Sequence, residues 1–101
     1  SGESNIYLMD EPTTGMHMED VGRLLEVLDE LILRGHSVIA IEHNMDFIAN
    51  ADHIIDLGPG GGDEGGRVIA CGEPDRIVRS GKSMTGRYLV EYVERYGRRA
   101  R

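Results

Sequence analysis

An α/β fold built on parallel strands is predicted by three features of this 101-residue sequence. Two short, continuous apolar runs, at 6–9 (IYLM) and 37–41 (SVIAI), have the length and composition of strands. Between them lies a stretch whose apolar residues recur at helical spacing. A further pair of strand-like runs flanks the glycine cluster GPGGGDEGG at 58–66, which is a turn and not regular structure.

The elements follow in order. Residues 6–9 form the first strand, expected to be buried and to end at Asp10 and Glu11. Residues 19–34 form an amphipathic helix in which Val21, Leu24, Leu25, Leu28, Leu31 and Ile32 make one core-facing stripe. Glu19 and Asp20 suit its positive N-terminal end, and Gly35 can take the left-handed conformation that closes a helix. Residues 37–41 form the second strand, and strand, helix and strand together make a βαβ unit with parallel strands. A short helix over 45–51 and a third strand over 53–57 come next, and the glycine-rich turn leads as a hairpin connection into a strand over 67–71. Pro74 is pre-set for the first turn of a helix reaching Arg79, and a terminal helix covers 85–96.

Composition confines the function classes. Hydrophobic residues make up 40% and charged residues 29%, the balance of one soluble globular domain over 1–101. No apolar stretch approaches the ~20 residues that span a bilayer, and the opening SGESN has no signal-peptide pattern. The single Cys71 cannot form an internal disulfide, which fits a cytoplasmic, reducing setting, and it reads as a small packed side chain in VIACG. His17, His36, His43 and His53 lack the close pairing of a zinc site. The net charge of −7 conceals an asymmetry: residues 1–64 carry −12 and residues 65–101 carry +5. The closing VERYGRRAR is basic enough to touch an anionic surface, or is simply a solvated tail; the acidic body repels nucleic-acid phosphates.

The chemistry-bearing residues lie where the strands end. In open parallel sheets ligands bind at the carboxyl ends of the strands, and Asp10 and Glu11 occupy one such end. One carboxylate there can hold a hydrated magnesium ion and the other can orient and polarise an attacking water. Equally, Asp-Glu is a common polar strand exit. Glu42 and His43 repeat the arrangement after the second strand, so neighbouring strands would bring His43 and Glu11 to one edge.

YLMDEPTTG followed by VIAIEHN resembles the second half of an ABC-type ATPase domain. DEPTTGMH, IEHNMD, ADHIIDLGPGGGDEGG and TGRYL are similar in more detail to the UvrA family, the damage-recognition ATPases of bacterial nucleotide excision repair, and to the C-terminal part of their second nucleotide-binding domain. The resemblance runs from about Ile6 to Leu89. It implies a Walker B strand in which Asp10 helps hold Mg-ATP and its metal, and Glu11 as the catalytic carboxylate. It also implies a D-loop comprising Thr13, Thr14, Gly15 and His17, and His43 as the switch histidine that contacts the γ-phosphate. For the parent protein it implies ATP and Mg2+, damaged DNA, a UvrB-like subunit and a homodimer, with no membrane.

The phosphate grip of that family, G-x-x-x-x-G-K-[ST], does not occur in these residues. Gly81-Lys82-Ser83 supplies a GKS tripeptide, but Arg76 stands where the motif needs its first glycine. A signature motif of the LSGGE kind and any zinc-bearing insertion are likewise not found. The expectation is therefore a fragment of a longer protein: a partial P-loop NTPase (ABC ATPase) core with its Walker A strand missing, inactive by itself. With that strand missing, the strands at 37–41 and 53–57 are expected either to pair directly or to leave exposed edges that self-associate. Two other readings are a piece of a transporter or drug-resistance ABC ATPase, and a non-catalytic βαβ interaction module.

Overall fold

The computed structural model describes residues 3–58 and 66–97, so most of the glycine-rich turn and the arginines closing the basic tail fall outside the described residues. The described residues gather into two compact units, 3–48 and 49–97.

The first unit is the βαβ motif: β1 (Ile6–Asp10), α1 (Met18–Leu33) and β2 (Ser37–Ile41), followed by the short α2 (Met45–Ile48). β1 and β2 pair in parallel, from Ile6 opposite Ser37 to Asp10 opposite Ile41. The ladder extends at both ends: the Ser37 N–H donates to the Asn5 carbonyl (3.0 Å), and the Glu11 N–H donates to the Ile41 carbonyl (2.8 Å). α1 packs against β2 and α2 and buries Val21, Leu25 and Leu28, half of the stripe expected from the spacing. Its end is a Schellman closure, in which the Gly35 N–H donates to Ile32 (2.9 Å) and the His36 N–H to Leu31 (3.1 Å). Gly35 has φ +96°, a conformation that costs an L-residue about 1–2 kcal/mol and costs glycine almost nothing.

One expectation fails in this unit. The strands are not buried on both faces: Ile6 and Leu8 are 66% and 77% exposed, and Ile39 and Ile41 are 58% and 66% exposed. The register puts Leu8 beside Ile39 on one face. α1 covers the other, where Met9, Val38 and Ala40 are half-buried. A continuous apolar run is the pattern of a strand with layers on both sides, and only one layer is present among the described residues of this unit.

The second unit opens on an antiparallel pair, β3 (Ile54–Leu57) with β4 (Val68–Gly72), with an irregularity between Asp56 and Leu57. The Gly58 N–H donates to the Arg67 carbonyl (2.6 Å), so the hairpin connection expected for the glycine cluster is what the flanking strands form. β3 takes β4 as its partner and β2 takes β1, in two separate sheets. Of the two outcomes expected for these strands, direct pairing of β2 with β3 is not the one found: β3 is satisfied by its sequence neighbour β4 in an antiparallel hairpin.

α3 (Pro74–Arg79) packs on β4 and α4 (Met84–Tyr96), burying Ile77 and Leu89 with Ile54 and Ala49. The GKS tripeptide has a structural part here. Ser83 is fully buried and caps α4: its hydroxyl accepts the Gly86 N–H (2.9 Å) and donates to Asp56 (2.6 Å). Thr85 donates to the second Asp56 oxygen (3.1 Å), tying the start of α4 to β3. Cys71 is exposed, contrary to its reading as a packed side chain. It stands opposite Ile55 in the ladder, and both project from the uncovered side of the hairpin.

Candidate functional site

The loops that leave β1 and β2 build the site. The chain turns sharply after Asp10: Glu11 has φ +47°, and Gly15 has φ +77°. The Glu11 carbonyl accepts both the Thr14 N–H (3.1 Å) and the Thr14 hydroxyl (2.9 Å), and the Thr13 carbonyl accepts the Met16 N–H (3.0 Å). A glutamate in the left-handed region is held there at a cost of about 1–3 kcal/mol, and such outliers concentrate at functional positions.

That backbone turn places the Glu11 carboxylate against the imidazole. Glu11 Oε1 and His43 Nε2 lie 2.5 Å apart, with the side chains 46% and 79% exposed. The structure thus brings together the two residues that the sequence placed at a common edge. Asp10 is exposed at the end of β1, opposite Ile41. Thr14, Gly15 and His17 are exposed in the connection to α1, where the His17 carbonyl accepts the first helical N–H groups, from Asp20 (3.0 Å) and Val21 (3.1 Å). Thr13 alone of this loop is buried, at 7% exposure.

Glu42 explains the burial of Thr13, and sequence reasoning gave it no distinct part. Its Oε2 accepts the Thr13 hydroxyl (2.8 Å) and the Thr13 N–H (3.1 Å). Its Oε1 accepts the N–H groups of His43 (3.0 Å) and Asn44 (3.3 Å). Asn44 then starts α2, its side chain accepting the Phe47 N–H (3.1 Å). The available signal was an acid just past a strand end with a helix-capping asparagine two residues on.

Burial raises the Glu42 pKa, but the hydrogen bonds from Thr13, His43 and Asn44 outweigh it, so the carboxyl titrates below its usual value of 4.5. A depressed carboxyl pKa contributes stability that is complete above the unfolded-state value and is lost as pH falls through the folded one. The Glu42 side-chain carboxyl carbon resonance should therefore hold steady from pH 7 to 5 and move only below pH ~4.5. Movement centred above that value would mean the carboxylate is not held by these donors.

No group of three or more His, Cys, Asp or Glu side chains able to hold a metal occurs among the described residues. Magnesium keeps most of its water and takes one or two carboxylates plus substrate phosphates. Asp10, an exposed carboxylate at a strand end, fits as one such ligand.

No family model matches this chain. Curated proteins do. UvrABC system protein A of Listeria monocytogenes is 54% identical over 96 residues, 94% of this chain and 10% of its own length. The Rickettsia felis protein of the same name is 52% identical over 89 residues, 88% of this chain and 9% of its own. The chain is homologous to a segment of UvrABC system protein A. A crystal structure of UvrA2 from Deinococcus radiodurans superposes with a TM-score of 0.82 at 43% identity, over 87% of this chain and 11% of that one. The chain therefore spans about a tenth of the length of the UvrA proteins it matches. No described helix is long and apolar enough to cross a membrane.

Proposed function

We propose that the chain is the hydrolytic edge of a UvrA-type ATPase of nucleotide excision repair, the C-terminal part of its second nucleotide-binding domain. The observation that carries this reading is the contact between Glu11 and His43 at the ends of adjacent parallel strands. It occurs in a chain 52–54% identical to UvrA proteins. Glu11 takes a proton from the attacking water and orients it; His43 donates to the terminal phosphate; Asp10 holds the hydrated metal. Magnesium, when bound, neutralises charge developing on the phosphate oxygens. Thr13, Thr14, Gly15 and His17 form the D-loop that faces a second nucleotide site. The parent protein works in the cytoplasm as a homodimer with damaged DNA and a UvrB-like subunit.

The phosphate-gripping loop lies outside these residues, so nucleotide affinity belongs to the parent protein. In a titration of a fluorescent ATP analogue with magnesium, the full-length parent should bind at micromolar concentration and the 101-residue chain should not saturate below about 1 mM, a gap of ~4 kcal/mol. Micromolar binding by the chain itself would overturn this division of labour.

The uncovered face of β1 and β2 gives the isolated chain a second property, self-association. Sedimentation velocity should show an average mass that rises with concentration, and Leu8→Lys with Ile39→Lys should restore the monomer. Concentration-independent monomer for the unaltered chain would refute it.

A further inference from the structure

Glu11 and His43 meet across two loops, yet neither side chain is held by packing: both are substantially exposed. The distance between them must come from the backbones that carry them. Glu11 depends on a left-handed turn that L-residues seldom adopt, which persists only when its surroundings over-determine it. His43 follows the last residue of β2 by only two positions.

One carboxylate reaches both backbones. The four donors on Glu42 fill about the four lone-pair positions a carboxylate offers. Two come from Thr13, two residues beyond Glu11, and two come from the His43 and Asn44 amides. Resting on the ATPase reading above, we propose that Glu42 is a positioning residue: it clamps the loop after β1 to the loop after β2 and so sets the approach of Glu11 to His43. It does not touch the reacting atoms. Charge matters to the clamp because all four partners are donors. A glutamine at 42 keeps the shape but loses the charge and must turn its N–H2 group toward at least one backbone N–H. The Thr13 hydroxyl can accept from it, so at least one N–H bond is replaced by repulsion and the others lose their charge assistance.

Two measurements separate this inference from the ATPase reading itself. On the 101-residue chain, Glu11→Gln should shift the His43 ring resonances, and the same substitution in a Glu42→Gln background should leave them nearly unmoved. This coupling needs no catalysis. In the full-length parent, Glu42→Gln should lower kcat for ATP hydrolysis on the order of 10- to 100-fold, the cost of an ångström-scale misplacement. The KM for ATP should stay within about twofold, because the main grip on the phosphates is assigned to the parent's phosphate-gripping loop and not to this edge. Thr13→Ser, which keeps the hydroxyl, should be close to wild type, while Thr13→Val should fall between wild type and Glu42→Gln. An undiminished Glu11–His43 coupling in the Glu42→Gln background would overturn the clamp. So would unchanged kcat in a parent that hydrolyses ATP. A parent without ATPase activity whose chain still shows the lost coupling would leave the clamp standing and remove the ATPase reading.

Discussion

Gly86→Ala should cost the second unit more than about 2 kcal/mol and lower its unfolding midpoint by 10 °C or more. A Cβ on Gly86 would lie 2.3 Å from the Ile77 carbonyl oxygen, closer than real Cβ atoms approach, and 3.1 Å from its carbon, itself a tight contact. The obstacle is the backbone of α3 at a fully buried residue, not the free end of a side chain, so α3 and α4 would have to separate. Separation also disturbs the Gly86 N–H bond to Ser83, and through Ser83 the bond to Asp56. Helix propensity opposes this outcome, since alanine is favoured over glycine by about 1 kcal/mol inside a helix. Sterics should win by a clear margin. Gly22, inside α1 with nothing within 4 Å of an added Cβ, is the internal control: Gly22→Ala should raise stability by several tenths of a kcal/mol or more. Thermal unfolding followed by circular dichroism reads both variants. Equal midpoints for Gly86→Ala and the parent sequence would show that the two helices are not in close contact.

The local architecture was legible because local rules decide it. The helix expected over 19–34 is found at Met18–Leu33, since its apolar spacing and the closing Gly35 are both properties of neighbouring residues. The strand at Ser37–Ile41 and the helix from Pro74 to Arg79 match their expected bounds for the same reason. The expected helix over 45–51 stops at Ile48. What neighbours cannot reveal is what lies across a sheet. The apolar runs of β1 and β2 predict cover on both faces, and Leu8 and Ile39 stand exposed, with only one face covered among the described residues of the first unit.

The site divides in the same manner. Glu11 and His43 were found because each sits just past a strand end, and parallel pairing brings strand ends together. Glu42 was missed because its work is done through Thr13, 29 residues earlier in sequence. The acid just past the strand end with Asn44 beyond it was a signal for Glu42, but it does not point to Thr13 as the partner. The left-handed conformation of Glu11 was likewise hidden, as glutamate is not a residue that signals positive φ. GKS at 81–83 shows the opposite error that motif-reading invites: its serine is a buried helix cap bonded to Asp56.

The most direct test of the hydrolytic assignment is Glu11→Gln in the full-length parent. Glutamine has the volume of glutamate and can still accept a hydrogen bond at Oε1, so the turn after β1 and its bonds to Thr14 should persist. What it cannot do is take a proton from water, and losing a positioned general base costs about 10²–10⁴ in rate. Affinity for ATP should be unchanged or tighter, because a negative charge near the terminal phosphate is removed. Pre-steady-state quench of bound, radiolabelled ATP reads the chemical step alone. Cleavage slowed at least 100-fold with full nucleotide occupancy is the result expected if Glu11 activates the water; cleavage at the wild-type rate would contradict a catalytic part for the edge formed by Glu11 and His43.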